Sequence, residues 1–99
     1  MVTVRFPRHL IRHCAVPAVC EAEAATVSEL IQALDRRFPG VASYLVHEDG
    51  SLRQHVNIFL GERLIRDRQR LSDPLDGVAE VFVMQAYEKP AHWPNIRDA

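Results

Sequence analysis

The stretch HVNIFLGERLIRDRQRLSDPLDGVAEVFVMQA, from His55 to Ala86, decides the fold. Val56, Ile58 and Leu60 alternate with Asn57 and Phe59, the period-two signal of a strand with one face on a core. Gly61-Glu62 interrupts the run. A two-residue break beside a glycine suits a tight hairpin, so Leu64 and Ile65 are expected to start a short return strand before the charged Arg66-Asp67-Arg68. Asp73-Pro74-Leu75-Asp76-Gly77 forms a second turn cluster, in which proline fixes one dihedral and glycine supplies a positive one. Val81-Phe82-Val83-Met84 then places four apolar residues in a row. A continuous run predicts a strand covered on both faces, in the middle of a sheet.

Working outward from this platform, the N-terminal segment alternates Val2, Val4 and Phe6 with Thr3 and Arg5, a first strand that Pro7 ends. Arg8 to Val16 is ambiguous between a loop with a buried anchor and a ragged hairpin. Residues 17–21 read as a short strand paired with the first, Pro17 suiting its beginning. Thr26-Val27-Ser28-Glu29 is a capping box, so a helix starts there. Val27, Leu30, Ile31, Leu34 and Phe38 follow at helical spacing, with Glu29, Gln32, Asp35 and Arg36 on the other face. Phe38-Pro39-Gly40 stops the helix. Val41 to Val46 adds a further turn, with Tyr44 and Leu45 tucked under the sheet, and Asp49-Gly50 turns back into the platform. The order predicts an α+β domain: a mixed sheet of four or five strands with one main helix across one face.

The bulk numbers bound the possibilities. The chain has 99 residues, of which 47% are hydrophobic, enough for one modest core and one domain. The expected organisation is a folded domain over 1–86 and a tail over 87–99. Twelve basic side chains against thirteen acidic ones leave a formal charge of -1, which provides no global field for nucleic acid or anionic lipid. No apolar leader or membrane-spanning run is evident, so a cytoplasmic location is expected. Cys14 and Cys20 are too few to be a secreted disulfide framework.

The element order is that of a β-grasp, and the motifs resemble the bacterial sulfur-carrier branch of the ubiquitin-like superfamily, the MoaD/ThiS type. The pieces that carry the resemblance are Thr26-Val27-Ser28-Glu29-Leu30 opening the helix, Phe38-Pro39-Gly40 closing it, Val56-Asn57-Ile58-Phe59, Ile65-Arg66, and Pro74-Leu75-Asp76-Gly77 with Glu80-Val81. Together they cover residues 2–86. The resemblance implies a protein without catalytic machinery or cofactor of its own, whose terminal Gly-Gly is adenylated by a partner and converted to a thiocarboxylate. The partner it implies is an adenylating enzyme or the large subunit of a synthase. Glycine suits such a tail because a chain without side chains threads a narrow channel. This sequence departs from the pattern there: it has no Gly-Gly, and Lys89-Pro90 stands roughly where the pair would be.

Candidate site residues fall in four groups. Phe59 is expected on the open face of the sheet, joined by Phe82 or Met84, where an exposed apolar patch marks a partner site; the rival reading is that the tail covers it. Arg63, Arg66, Arg68 and Arg70 form either a basic docking patch or a solvated face, Glu62, Asp67 and Asp73 being interleaved. In the tail, Tyr87 and Trp93 are either a recognition peptide, a fold-back onto the domain or a mobile end. His9, His13, Cys14 and Cys20 have ligand chemistry for zinc without a Cys-x-x-Cys, and burial is the commoner state of such cysteines. A catalytic cysteine lacks an oxyanion hole or orienting residue. No metal or catalytic residue is therefore assigned. The first functional reading is a carrier-type protein that docks a partner. The second is a binding or regulatory module that keeps the fold without the chemistry, and the third a small metal-binding or hydrolytic enzyme. The pathway and the oligomeric state are not legible.

Overall fold

The computed structural model describes residues 1–85. Eight elements follow one another: β1 (Val2–Arg5), α1 (Arg8–Cys14), β2 (Val19–Ala22), α2 (Val27–Arg37), α3 (Val41–Leu45), β3 (Val56–Leu60), β4 (Arg63–Leu64) and β5 (Glu80–Gln85). The strands make one mixed sheet in the order β2-β1-β5-β3-β4. β5 is central, as its unbroken apolar run requires, parallel to β1 and antiparallel to β3. The first and last of the described strands are thus neighbours, and the sheet is complete only when β1 and β5 pair.

α2 begins where the capping box put it. Thr26 Oγ1 accepts the Glu29 N–H at 3.2 Å, and Glu29 Oε1 reaches back to the Ala25 N–H at 3.2 Å, satisfying two donors that a helix start leaves open. Val27, Leu30, Ile31 and Leu34 are buried, and they meet Val2, Val4, Val56, Ile58, Leu60, Val81 and Val83 in one core. Each large side chain withdrawn from water there stabilises the fold by about 1.5–3 kcal/mol. Phe38, one residue past the helix, packs edge-on against Phe6 with centroids 6.4 Å apart.

Two local expectations are corrected. Arg8 to Cys14 is a helix rather than a loop or hairpin; the reason is tertiary, since Leu10 is fully buried and holds the turn against the core. It ends at Ala15, whose φ of 55° reverses the chain. The return strand is Arg63–Leu64, one residue earlier than expected; Ile65 still donates its N–H to the Ile58 carbonyl at 3.0 Å while its side chain is buried in the core. Beside the main helix stands α3 (Val41–Leu45), the further turn expected over Val41 to Val46, and α1 is the added helix. The anticipated tail lies outside the described residues.

The loop between β4 and β5 is fastened to the start of α2. Val27 N–H donates to the Asp73 carbonyl, Ser28 N–H to that of Leu71 and Leu75 N–H to that of Ala25. The Asp73 carboxylate is buried and accepts from the backbone N–H groups of Arg66 and Asp67 at 3.1 and 2.8 Å.

Candidate docking surfaces

Strand alternation sorts the sheet into two faces. Val4, Val81, Val83, Ile58 and Leu60 point to the helices, so their neighbours of opposite parity form an outer face. The pairing registers Val19↔Arg5, Arg5↔Phe82, Phe82↔Phe59 and Phe59↔Leu64 align one outer row across all five strands. Its ends are exposed, Val19 by 42% and Leu64 by 44%. Phe59 and Phe82 at its centre are not the open patch expected from the sequence, being 8% and 2% exposed. Met84, opposite Asn57 in the adjoining row, is half-buried. Arg5 crosses the same face to Glu80, Nε to Oε2 at 2.8 Å.

The arginines after β4 do not act as one group. Arg68 is spent on structure: its guanidinium donates to Asn57 Oδ1 at 2.8 Å and to the carbonyls of Arg53 and Val56 at 2.9 and 3.0 Å. Arg63 lies 3.8 Å from the Asp73 carboxylate. Arg66 and Arg70 present exposed side chains. Asp67 is held down to about 2, chiefly by the Ser72 hydroxyl and then by backbone N–H groups including those of Arg70 and Gln69. Tyr87 and Trp93 lie outside the described residues.

A second surface emerges at the other end of the sheet. Because Arg8 to Cys14 is helical, His9 and His13 stack one turn apart, and both rings approach Tyr44 of α3, at 5.8 and 5.6 Å between centroids. His55, just before β3, closes on the same ring from another side at 5.6 Å. These residues, with Cys14 and Arg53, line an open cleft of about 500 Å³. Arg53 is fixed in its wall by an Nε–H bond to the Ser43 carbonyl at 2.9 Å. Gln85 Nε2 donates to the Tyr44 hydroxyl at 2.7 Å, which puts the end of β5 on the cleft's rim.

The sequence had paired His9, His13, Cys14 and Cys20 as ligand chemistry, but the structure brings only the first three to the cleft and separates Cys20 from them. Cys20 belongs to β2 at the sheet edge. Among the described residues, no group of three or more His, Cys, Asp or Glu side chains is arranged to hold a metal ion. Both thiols are pushed up by burial, Cys14 further by the Asp35 charge, Cys20 with partial relief from Arg37. Tyr44 and His55 were not anticipated as companions of the α1 histidines. The spacing of His9 and His13 was the available signal, and it becomes informative only once that segment is known to be helical.

The five-stranded mixed sheet with its main helix on one face defines the ubiquitin-like β-grasp class. Comparison with solved structures agrees. A chain of the Amycolatopsis orientalis BexX/CysO complex is similar at 26% identity with a TM-score of 0.76, over 91% of this chain and 100% of that one. Mycobacterium tuberculosis CysO, an antigen, is similar at 24% identity and a TM-score of 0.76, over 87% of this chain and 99% of that one. SAMP1 from Haloferax volcanii is similar at 16% identity and a TM-score of 0.71, over 90% and 98%. No protein-family model matches the chain, and no curated protein matches it significantly. In structure as in motif order, the chain resembles the ubiquitin-like sulfur carriers of the MoaD/ThiS type. Among the described residues, no helix is long and apolar enough to cross a membrane.

Proposed function

We propose that this chain is a small carrier-type β-grasp protein, not an enzyme, that works in the cytoplasm by docking a protein partner: an adenylating enzyme or the large subunit of a synthase. The observation that carries the reading is the likeness, over the full length of that chain, to a component of a two-protein complex, BexX/CysO. Docking is assigned to the outer sheet face around Phe59, Phe82 and Met84, with Arg66 beyond the return strand and Tyr87 and Trp93 in the tail. The exposed apolar ends of that face, Val19 and Leu64, extend it in the way that partner surfaces are extended, with apolar area bordered by charge. A second reading, a binding or regulatory module without thiocarboxylate chemistry, is favoured by Lys89-Pro90 where the resemblance calls for two glycines.

The two readings separate in one measurement. The protein is incubated with ATP and a cognate adenylating enzyme, and its intact mass is read. A terminal adenylate or thiocarboxylate supports the carrier; an unchanged mass, under conditions that modify a known carrier, eliminates it and leaves the module. Truncation after Ala86 abolishes capture of the partner if Tyr87 and Trp93 anchor it, and leaves capture intact if the sheet face alone suffices.

A further inference from the structure

Charge is segregated in this chain. Overall it carries a formal charge of -1, yet residues 1–20 contain Arg5, Arg8, His9, Arg12 and His13 and no acidic residue. α1 concentrates four of these, and the cleft it borders is lined by His9, His13, His55 and Arg53, with no Asp or Glu among the described residues that line it. The acid that acts on Cys14 from nearby is Asp35, and its Oδ1 is turned to the N–H groups of Gly40 and Ala42 at 3.1 and 3.0 Å. His9, His13 and His55 are exposed, so the burial of Leu10 and Leu45 beneath them, rather than the imidazoles, supports the local fold. Three imidazoles held around one phenol ring, on two helices and a strand entry, are a preorganised set of N–H donors with no acidic side chain among the described residues of the lining.

We propose that the cleft between α1, α3 and the start of β3 is a docking site for an acidic segment of a partner protein, whose carboxylates are taken by His9, His13, His55 and Arg53. Its position gives it a purpose: the Gln85–Tyr44 bond puts the end of β5 at its edge, so a protein that grips this cleft also reaches the central strand of the sheet. That last step rests on the docking function proposed above; the carboxylate chemistry of the cleft does not. Paired with carboxylates, the imidazoles bind best as imidazolium, and histidine is the side chain that changes charge near neutrality. The other titratable groups of the cleft are Cys14, Tyr44 and Arg53, with Arg8 and Arg12 on the flank of α1.

The test uses the full chain, with hexaglutamate as the probe, hexalysine as the control and inorganic phosphate as a separate arm. Imidazole C–H and backbone resonances are followed by NMR. Saturable shifts on hexaglutamate at His9, His13, Tyr44, Arg53 and His55 are expected, with none on hexalysine. The double variant His9→Gln, His13→Gln should bind about fivefold more weakly, the order expected for the loss of two exposed ion pairs, with an unchanged thermal midpoint. Saturation by phosphate without hexaglutamate binding overturns the proposal in favour of a small-anion site. Shifts spread over all basic residues, or none, also overturn it. Either failure leaves the adenylation experiment untouched, so the two readings fall separately.

Discussion

Asp73 shows how much one side chain can organise. Its buried carboxylate accepts the N–H groups of Arg66 and Asp67 while its carbonyl accepts that of Val27, so it ties the loop before β5 to the start of α2. Asp73→Ala removes the acceptor of two backbone donors and should destabilise the domain by about 1–3 kcal/mol, measured by denaturant unfolding. Asp67, close by, answers to pH. Its folded value of about 2 lies below that of an unfolded carboxylate, about 4. Its contribution to stability is therefore full above the unfolded value and is lost as pH falls through about 2. Asp67→Asn should flatten the acid limb of the stability profile across that window. At Cys14, burial and the Asp35 charge both raise the thiol, so it should alkylate more slowly than a free thiol at neutral pH. Asp35→Asn keeps the acceptor for Gly40 and Ala42, and should speed alkylation of Cys14 while leaving Cys20 unchanged.

At the scale of elements, α2 is the one whose sequence and structure agree most closely. Thr26 and Glu29 close a capping box at its start, and the stripe Val27, Leu30, Ile31 and Leu34 is buried as its spacing demands. Thr26→Ala should cost about 1 kcal/mol and Leu30→Ala about 2–5 kcal/mol, both read as shifts in denaturant midpoint with an unchanged slope. The join to α3 depends on Gly40, whose φ of 104° suits no side chain. A Cβ there would sit 3.6 Å from Cys14 Sγ, an ordinary contact. Gly40→Ala should therefore cost about 1–3 kcal/mol through backbone strain alone, and a larger loss would mean that the Cys14 contact also matters. α1 is the opposite case. Its residues Arg8, His9, Arg12 and His13 show no clean apolar face, and Leu10 alone is fully buried. The helix exists because the core beneath offers Leu10 a place, which no local pattern announces.

For the whole molecule, the parallel pairing of β1 with β5 joins the two ends of the domain, with Val4 opposite Val81 and both fully buried. Unfolding should consequently be a single cooperative transition by calorimetry. Val81→Ala should lower its midpoint by roughly 10 °C, from a loss of about 2 kcal/mol at about 4–8 °C per kcal/mol. Two separate transitions would show that the halves fold apart. The same closure defines the two candidate surfaces, the outer sheet face and the histidine-lined cleft at the sheet's end. The first was visible in the alternation of Phe59 with Val56, Ile58 and Leu60, although its central rings are nearly buried. The second was not visible, because Tyr44 on α3 and His55 before β3 are distant in sequence from the α1 pair His9 and His13.

The sequence by itself determined the class of fold, the span and cap of α2, and the central place of β5, because periodicity, capping and an unbroken apolar run are local signals that burial then obeys. It also contained the departure from the Gly-Gly pattern, which no fold can alter. Only the tertiary structure decided that Arg8 to Cys14 is helical, that Arg68 is a structural donor to Asn57 and two carbonyls, and that three histidines surround one tyrosine. Each of those depends on which surfaces meet across the sheet, and such contacts are fixed by packing between residues that no local pattern relates.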